Sequence, residues 1–346
     1  MCNSEYIRIL ILSLLASLIL VPLVRFLALK FDILDHPKSR KIHAHPMPKL
    51  GGLAIYLAFM IGVLSSCNYN NSQLKGVLLG SSLVFLVGLI DDIRHLRASL
   101  RLLIQIVAAY IVISHGVVLK IFPYYALNAI FTVVGIVGIT NALNFLDNMD
   151  GLAAGLTCIC VFGIFAISYH SGQRWLVFLS ISLFGSTLGF LRYNFKPAKI
   201  FMGDSGSTFL GFTIASMSIM ASWSEYTIIA ITVPVLILGL MIFDTTMISV
   251  LRILEGKVRT FRQWLEHADK DHISHRLVEM GMQQREAVMF LYICNLILVS
   301  VAIVLPKDGV KSAVFTLVSY IVVSVWSIKK LHEIKMKHLT LKGDPL

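Results

Sequence analysis

The chain has 346 residues, 57% of them hydrophobic and only 14% charged, with a formal net charge of +11. With a mean hydropathy of +0.80, that balance excludes an ordinary soluble domain and points to a helical protein with many membrane spans. So basic a soluble protein would suggest nucleic acid as a partner, but here the placement of the basic residues accounts for the charge without one.

Apolar runs predict eleven spans, at about 6–29, 50–67, 74–91, 100–119, 126–143, 152–169, 174–191, 207–222, 226–251, 286–305 and 311–328. The first, built on Ile9 to Val24, lacks a basic leader and a small-residue cleavage site, so it reads as a span rather than a signal peptide. The connections 30–49, 92–99, 144–151, 192–206 and 252–285, with the tail from Lys329, then share one side of the membrane. Counting Arg101 just inside the fourth span, 23 of the 30 Lys and Arg fall on that side and five on the other. The positive-inside rule makes the rich side cytoplasmic, with the N-terminus outside and the C-terminus inside. No separate soluble domain or internal repeat is visible. The expectation is an all-α polytopic membrane protein of about eleven transmembrane helices, one integral membrane domain with its active site on the cytoplasmic face. The cysteines (Cys2, Cys67, Cys158, Cys160, Cys294) show no metal-ligand spacing; Cys158 and Cys160 read as small apolar fillers.

The 30–49 loop holds Lys38, Arg40, Lys41, His43 and Lys49 between prolines and ends in Gly51-Gly52. It reads as a topogenic basic patch or as a rigid set of cations for phosphate. The third span ends in Asp91-Asp92, where the helix dipole and the two charges oppose one another, an unfavourable local choice that hints at a bound cation; Arg94 and Arg97 are the plainer neutralising partners. The fifth span ends Asn141-Ala-Leu-Asn144-Phe-Leu-Asp147-Asn-Met-Asp150-Gly151, acidic on a basic side. A continued helix would put Asn144, Asp147 and Asp150 on one face, and Gly151 reads as a C-cap.

The loop Lys196 to Thr208 sets Asp204 between glycines at the start of the eighth helix. It is either an ordinary N-cap or a cation ligand beside backbone N–H groups that suit an anion. Asp244 is buried in the ninth span, with Thr245, Thr246 or Arg252 as candidate partners. In the 252–285 loop, Arg252, Lys257, Arg259 and Arg262 with Phe261 and Trp264 suggest an amphipathic interfacial piece. His272 and His275, three apart beside Arg276, suit a phosphate site better than zinc. Five carboxylates (Asp91, Asp92, Asp147, Asp150, Asp204) at three cytoplasmic ends of spans call for a divalent cation, and all-oxygen ligands point to Mg2+.

Taken in order, four motifs resemble one family, the polyprenyl-phosphate N-acetylhexosamine-1-phosphate transferases, and its WecA/TagO branch more than the MraY branch. They are Arg40-Lys-Ile-His43 with Pro46-Met-Pro-Lys49-Leu-Gly-Gly52; Asp91-Asp92; Asn141 to Gly151; and Phe201-Met-Gly-Asp-Ser-Gly-Ser207. The resemblance runs from about Asp35 to Val288. It implies transfer of a phospho-N-acetylhexosamine, GlcNAc-1-phosphate above all, from a UDP-sugar to undecaprenyl or another polyprenyl phosphate, with release of UMP. The setting it implies is the bacterial inner membrane, as a first lipid-linked step of a cell-envelope polysaccharide. It also implies Mg2+, with Mn2+ as a substitute, held by Asp204 and Asn144. Asp91 and Asp92 would handle the lipid phosphate, and these two with His272 and His275 would be the catalytic residues, the histidines at the sugar phosphate. Asp147, Asp150, Phe201, Lys49, Arg276 and His43 would bind substrate, with Phe201 stacking on uracil. Asp244-Thr245 matches a recurrent Asp-Thr, and the lipid groove is expected near the bent ninth helix at Pro234. A homodimer is compatible with the family. One departure is Ser274, where the family pattern His-x-His-His has its middle histidine; Ser274→His is expected to retain or raise turnover. The alternatives are a MurNAc-pentapeptide phosphotransferase, disfavoured by its different glycine loop and histidine triplet, and an ion-coupled transporter or flippase, whose main support is Asp244.

Overall fold

The computed structural model describes residues 3–35, 46–66, 71–256 and 272–342. Among these the chain is helical apart from one short antiparallel pair, β1 (Leu34–Asp35) with β2 (Met47–Pro48). The helices are α1 (Asn3–Lys30), α2 (Gly51–Leu64), α3 (Ser72–Arg94), α4 (Ala98–Ser114), α5 (Tyr125–Leu146), α6 (Leu152–His170), α7 (Arg174–Asn194), α8 (Gly203–Met220), α9 (Thr227–Ile237), α10 (Gly239–Leu254), α11 (Ile273–Glu279), α12 (Gln284–Asp308) and α13 (Val310–Lys342). Seven of them are long and apolar enough to cross a membrane, or eight if the bent pair α9–α10 is one span. The chain is therefore an all-α, multi-pass membrane protein.

The difference from eleven predicted spans has physical causes. α2 and α4 are apolar but short. α8 carries many hydroxyls yet is buried along most of its length, as the central helix against α3, α5, α2 and α6. It tolerates them because Ser207, Thr208 and Thr213 donate to the carbonyls of Gly203, Asp204 and Phe209 one turn back.

The predicted ninth span is two helices that meet at Leu238 with a bend of 78°. Pro234, inside α9, removes one backbone donor before the break. The carbonyls beside the break find partners from other helices: Cys160 Sγ donates to Ile237 at 3.0 Å and the Tyr320 hydroxyl to Gly239 at 2.7 Å. Cys160 is thus more than a filler.

Close approaches of α8 position the site. A Cβ at Gly88 of α3 would lie 2.6 Å from Ser205 Cα, and one at Gly211 would lie 2.8 Å from Thr140 Cα of α5. The segment before α2 is tied to the segment before α8 by backbone bonds, Phe201 N to Pro48 O at 2.8 Å, Gly51 N to Phe201 O at 2.9 Å and Gly52 N to Met202 O at 2.8 Å. Three chain segments far apart in sequence are thereby fixed around the first turn of α8.

Candidate active site

A cleft of about 730 Å3 opens where these helix ends meet. Of the residues singled out from sequence, Lys49, Asp91, Asp92, Asn144, Asp147, Asp150, Phe201, Asp204 and His275 line it. His272 and Arg276 are buried and do not line it. His43 lies outside the described residues, as do Lys38, Arg40, Lys41 and the proposed interfacial segment with Lys257, Arg259, Phe261, Arg262 and Trp264.

The first turn of α8 is capped from another helix. The N-cap residue Met202 makes no side-chain cap, and Asp204 does not serve as one. Instead the Asp92 carboxylate, at the C-terminus of α3, accepts from Asp204 N at 2.9 Å and Ser205 N at 3.0 Å. Its charge, unfavourable in its own helix, is stabilised by the N-terminus of α8. Lys49 Nζ adds a longer contact at 3.6 Å. Gly203 has φ +72, and its lack of a side chain leaves room for that carboxylate.

Asp91 is satisfied separately. It accepts from Leu96 N at 2.5 Å and from Arg101 Nη1 at 2.6 Å. Arg101 therefore fills the role expected of Arg94 or Arg97, both of which are exposed. The reason is geometric: the turn after α3 folds α4 back, so a residue one turn into α4 faces the end of α3.

Asp204 projects into the cleft and remains about a third exposed, accepting from Asn144 Nδ2 at 2.9 Å, with Arg101 Nη1 3.6 Å away. Asp150 accepts from Ala198 N at 3.1 Å and so pins the loop before α8. Asn144, Asp147 and Asp150 do not continue one helix. α5 ends at Leu146, and Gly151, with φ +77, starts α6 rather than ending α5. The three still reach the same cleft.

Asp147 accepts no hydrogen bond from a described side chain or backbone group. Withdrawal from water, then the carboxylates of Asp204, Asp92 and Asp150, push its carboxyl up to about 8. Among the described residues no three His, Cys, Asp or Glu side chains form a ready metal shell. Asp204, Asn144 and Asp147 line the same cleft and carry oxygen donors, the donor type that Mg2+ takes, commonly as one or two carboxylates completed by water and phosphate.

The two histidines diverge. His272 is the N-cap of α11, not part of its face, and its Nδ1 donates to Asp244 at 2.7 Å. Asp244 also accepts from Ile273 N at 2.8 Å, so its partners come from this segment rather than from Thr245, Thr246 or Arg252. With both oxygens engaged inside the protein, Asp244 no longer supports a transporter. Ser274 is fully buried, and its hydroxyl donates to Asn148 Oδ1 at 2.8 Å. A histidine there would have to displace packed neighbours and the contact to Asn148, which argues against the expectation for Ser274→His.

Sequence reasoning had not singled out Arg101, Asn148, Lys196 or Gln284 as site residues, although all line the cleft. Lys196 also contacts Gln284 across its mouth. Arg101 had a signal, an isolated cation early in an apolar helix just after an acid pair. The others are ordinary polar residues that only the fold brings together.

The chain is similar in sequence to known proteins. Residues 74–222 match the family described as glycosyl transferase family 4. A Bacillus subtilis protein named probable undecaprenyl-phosphate N-acetylglucosaminyl 1-phosphate transferase is 39% identical over 327 residues, covering 91% of this chain and 90% of its own length. The decaprenyl-phosphate N-acetylglucosaminephosphotransferase of Mycolicibacterium smegmatis is 30% identical, with 78% of this chain and 74% of that protein aligned. The undecaprenyl-phosphate alpha-N-acetylglucosaminyl 1-phosphate transferase of Escherichia coli is 24% identical, with 81% and 78% aligned.

Proposed function

Because this chain belongs to glycosyl transferase family 4, we propose that it transfers N-acetylglucosamine 1-phosphate from UDP-GlcNAc to a polyprenyl phosphate and releases UMP. The observation that carries this reading is the match over 91% of the chain to a Bacillus subtilis protein named probable undecaprenyl-phosphate N-acetylglucosaminyl 1-phosphate transferase; the UDP donor and the release of UMP are part of the proposal. The proposed product is the first lipid-linked intermediate of a cell-envelope polysaccharide, and the proposed acceptor in a bacterial membrane is undecaprenyl phosphate.

In the transfer, an oxygen of the lipid phosphate attacks the sugar-proximal phosphorus of the UDP-sugar. The bond from that phosphorus to the bridging oxygen breaks, and UMP leaves with the electron pair. A lipid monophosphate is largely dianionic near neutral pH, so the nucleophile needs little help from a base. What the protein supplies is position and charge.

Lys49, Arg101 and Lys196 on the cleft wall would attract and orient the phosphates. Phe201 supplies an aromatic surface for the uracil. Asp92 has both oxygens engaged with backbone N–H groups, which suits an orienting role better than a covalent aspartyl-phosphate. Asp204 and Asn144, with Asp147 close by, would hold Mg2+. When bound, Mg2+ would neutralise charge that builds on the phosphate oxygens. His275 on the wall is suited to the sugar phosphate.

The proposed topology has eleven crossings, with α9 and α10 as one and with α2, α4 and α8 counted. In it the N-terminus is outside and the cleft cytoplasmic, because the loops predicted on one side from the sequence hold 23 of the 30 Lys and Arg, and the described ends of those loops meet at the cleft. The test is UMP release by purified protein given UDP-GlcNAc, undecaprenyl phosphate and Mg2+. Release is expected, and its loss is expected in Asp204→Ala and with EDTA. If the folded wild-type protein releases no UMP from any UDP-sugar, the reading fails.

A further inference from the structure

His272 and the first turn of α11 are held from two sides. His272 and Ile273 are held by the two oxygens of Asp244, at 2.7 and 2.8 Å. Ser274 is held by Asn148 Oδ1 at 2.8 Å. His275, next in line, faces the cleft.

Asp244 has no solvent exposure, and a buried carboxylate is costly unless it is paired and hydrogen-bonded. A neutral amide or an apolar contact would anchor a short helix at lower cost. The carboxylate does something that an amide cannot: it accepts from two donors at once and requires a proton on His272 Nδ1, since a carboxylate offers no donor. It thereby sets the ring's orientation and holds the first backbone N–H of α11, which has no side-chain N-cap of its own. The Phe145 ring, 6.0 Å from that of His272, closes the other side. Phe145 is bound in turn to the second anchor, its carbonyl accepting from Asn148 Nδ2 at 2.9 Å.

We propose that Asp244 is a positioning residue for the cleft, acting through His272 and Ile273, with Asn148 as a second fastener, to set His275 against the substrate phosphates. The activity readout of this inference rests on the transferase reading above.

The experiment is a double-mutant cycle in UMP release with Asp244→Asn, His275→Ala and the double variant. Asparagine keeps the volume but replaces one acceptor with a donor. Each single variant is expected to lower kcat by at least about fivefold. The double variant is expected to lie within about twofold of His275→Ala alone, because both changes remove the same presentation. A general loss of stability would instead multiply the two effects. A smaller loss in either single variant, or multiplied losses in the double, overturns the proposal.

If Asp244→Asn does not fold, Asn148→Ala takes its place in the same cycle under the same criteria. Nitrogen-15 histidine spectra of the wild type, assigned by difference from His272→Asn, add a readout independent of turnover. They are expected to show a protonated Nδ1 at His272, and a bare Nδ1 overturns the proposal. Absence of UMP release by the wild type would fail the transferase reading, while the spectra would still decide the geometry around Asp244.

Discussion

Gly203→Ala probes whether the first turn of α8 assembles the site. Gly203 has φ +72, where an L side chain costs about 1–2 kcal/mol. A Cβ there would lie 2.5 and 2.7 Å from the Asp92 carboxylate oxygens and 2.6 Å from the Lys49 carbonyl. The Lys49 carbonyl is backbone and yields little, so the carboxylate or the turn must move. Moving Asp92 loosens hydrogen bonds to a charged acceptor that contribute about 1.5–3 kcal/mol each. The loss of one such bond plus the backbone strain destabilises by roughly 2.5–5 kcal/mol.

Gly116 provides the control, since it has φ +87 and nothing within 4 Å of its would-be Cβ. Gly116→Ala carries the backbone cost alone, about 1–2 kcal/mol. Thermal unfolding of both variants in one detergent, with UMP release measured in parallel, separates the two. Gly203→Ala is expected to unfold at the lower temperature and to lose activity, because Asp92 holds the backbone of Asp204; Gly116→Ala should stay active. Equal thermal shifts, or a fully active Gly203→Ala, would refute the view that the cap between α3 and α8 builds the site.

Arg101→Gln leaves buried Asp91 without its cation; because Arg101 is itself about a third exposed, the expected destabilisation is about 1–2 kcal/mol, below the range for a fully buried pair. Adding Asp91→Asn should restore thermal stability without restoring UMP release. Ser274→His should lower both stability and turnover, since Ser274 is fully buried against Asn148; turnover at or above wild type would refute this. The Asp147 carboxyl, pushed up to about 8, holds a proton that competes with the cation. Half-saturating Mg2+ should therefore fall as pH rises, by up to roughly 25-fold from about pH 6.5 to 8.5, and Asp147→Asn should flatten the trend in a direct binding titration. Without a cation the same shift acts on folding: the native state holds this proton more tightly than the unfolded chain, so stability declines as pH rises between about 4 and 8.

The helices were legible because apolar runs of this length have few alternatives, and each predicted run overlaps a helix in the structure, the ninth overlapping two. The break at Leu238 was only hinted at by Pro234, since what stabilises it, Cys160 and Tyr320, comes from other helices. The acids of the site were legible from their local oddness, with Asp91 and Asp92 standing where a helix prefers Lys or Arg. Their partners were not. Asp92 is satisfied by backbone groups 112 and 113 positions later in the chain, and no composition or period encodes such a contact. Asp244 shows the same limit, since its ligands lie on a segment that sequence reading assigned to phosphate.

These partners narrow the electrostatic case for a cation. Five carboxylates near one cleft look like a demand for divalent charge, but the protein meets much of it. Asp91 has Arg101 and Leu96 N, Asp92 has the N-terminus of α8, and Asp150 has Ala198 N. What remains is Asp204, with an amide partner and a cation 3.6 Å away, and Asp147, which accepts no hydrogen bond from a described group. Substitution should therefore rank the acids by this remainder. In a Mg2+ titration at about pH 9, where the Asp147 carboxyl has lost its proton, Asp204→Asn and Asp147→Asn should shift half-saturation at least about tenfold, the scale of removing one charged contact of about 1.4 kcal/mol or more. Asp150→Asn should shift it by less than about threefold, because its charge already serves the loop before α8. Equal shifts for all three would mean that the cation senses the summed field of the cleft, and that the hydrogen bond to Asp150 does not insulate it.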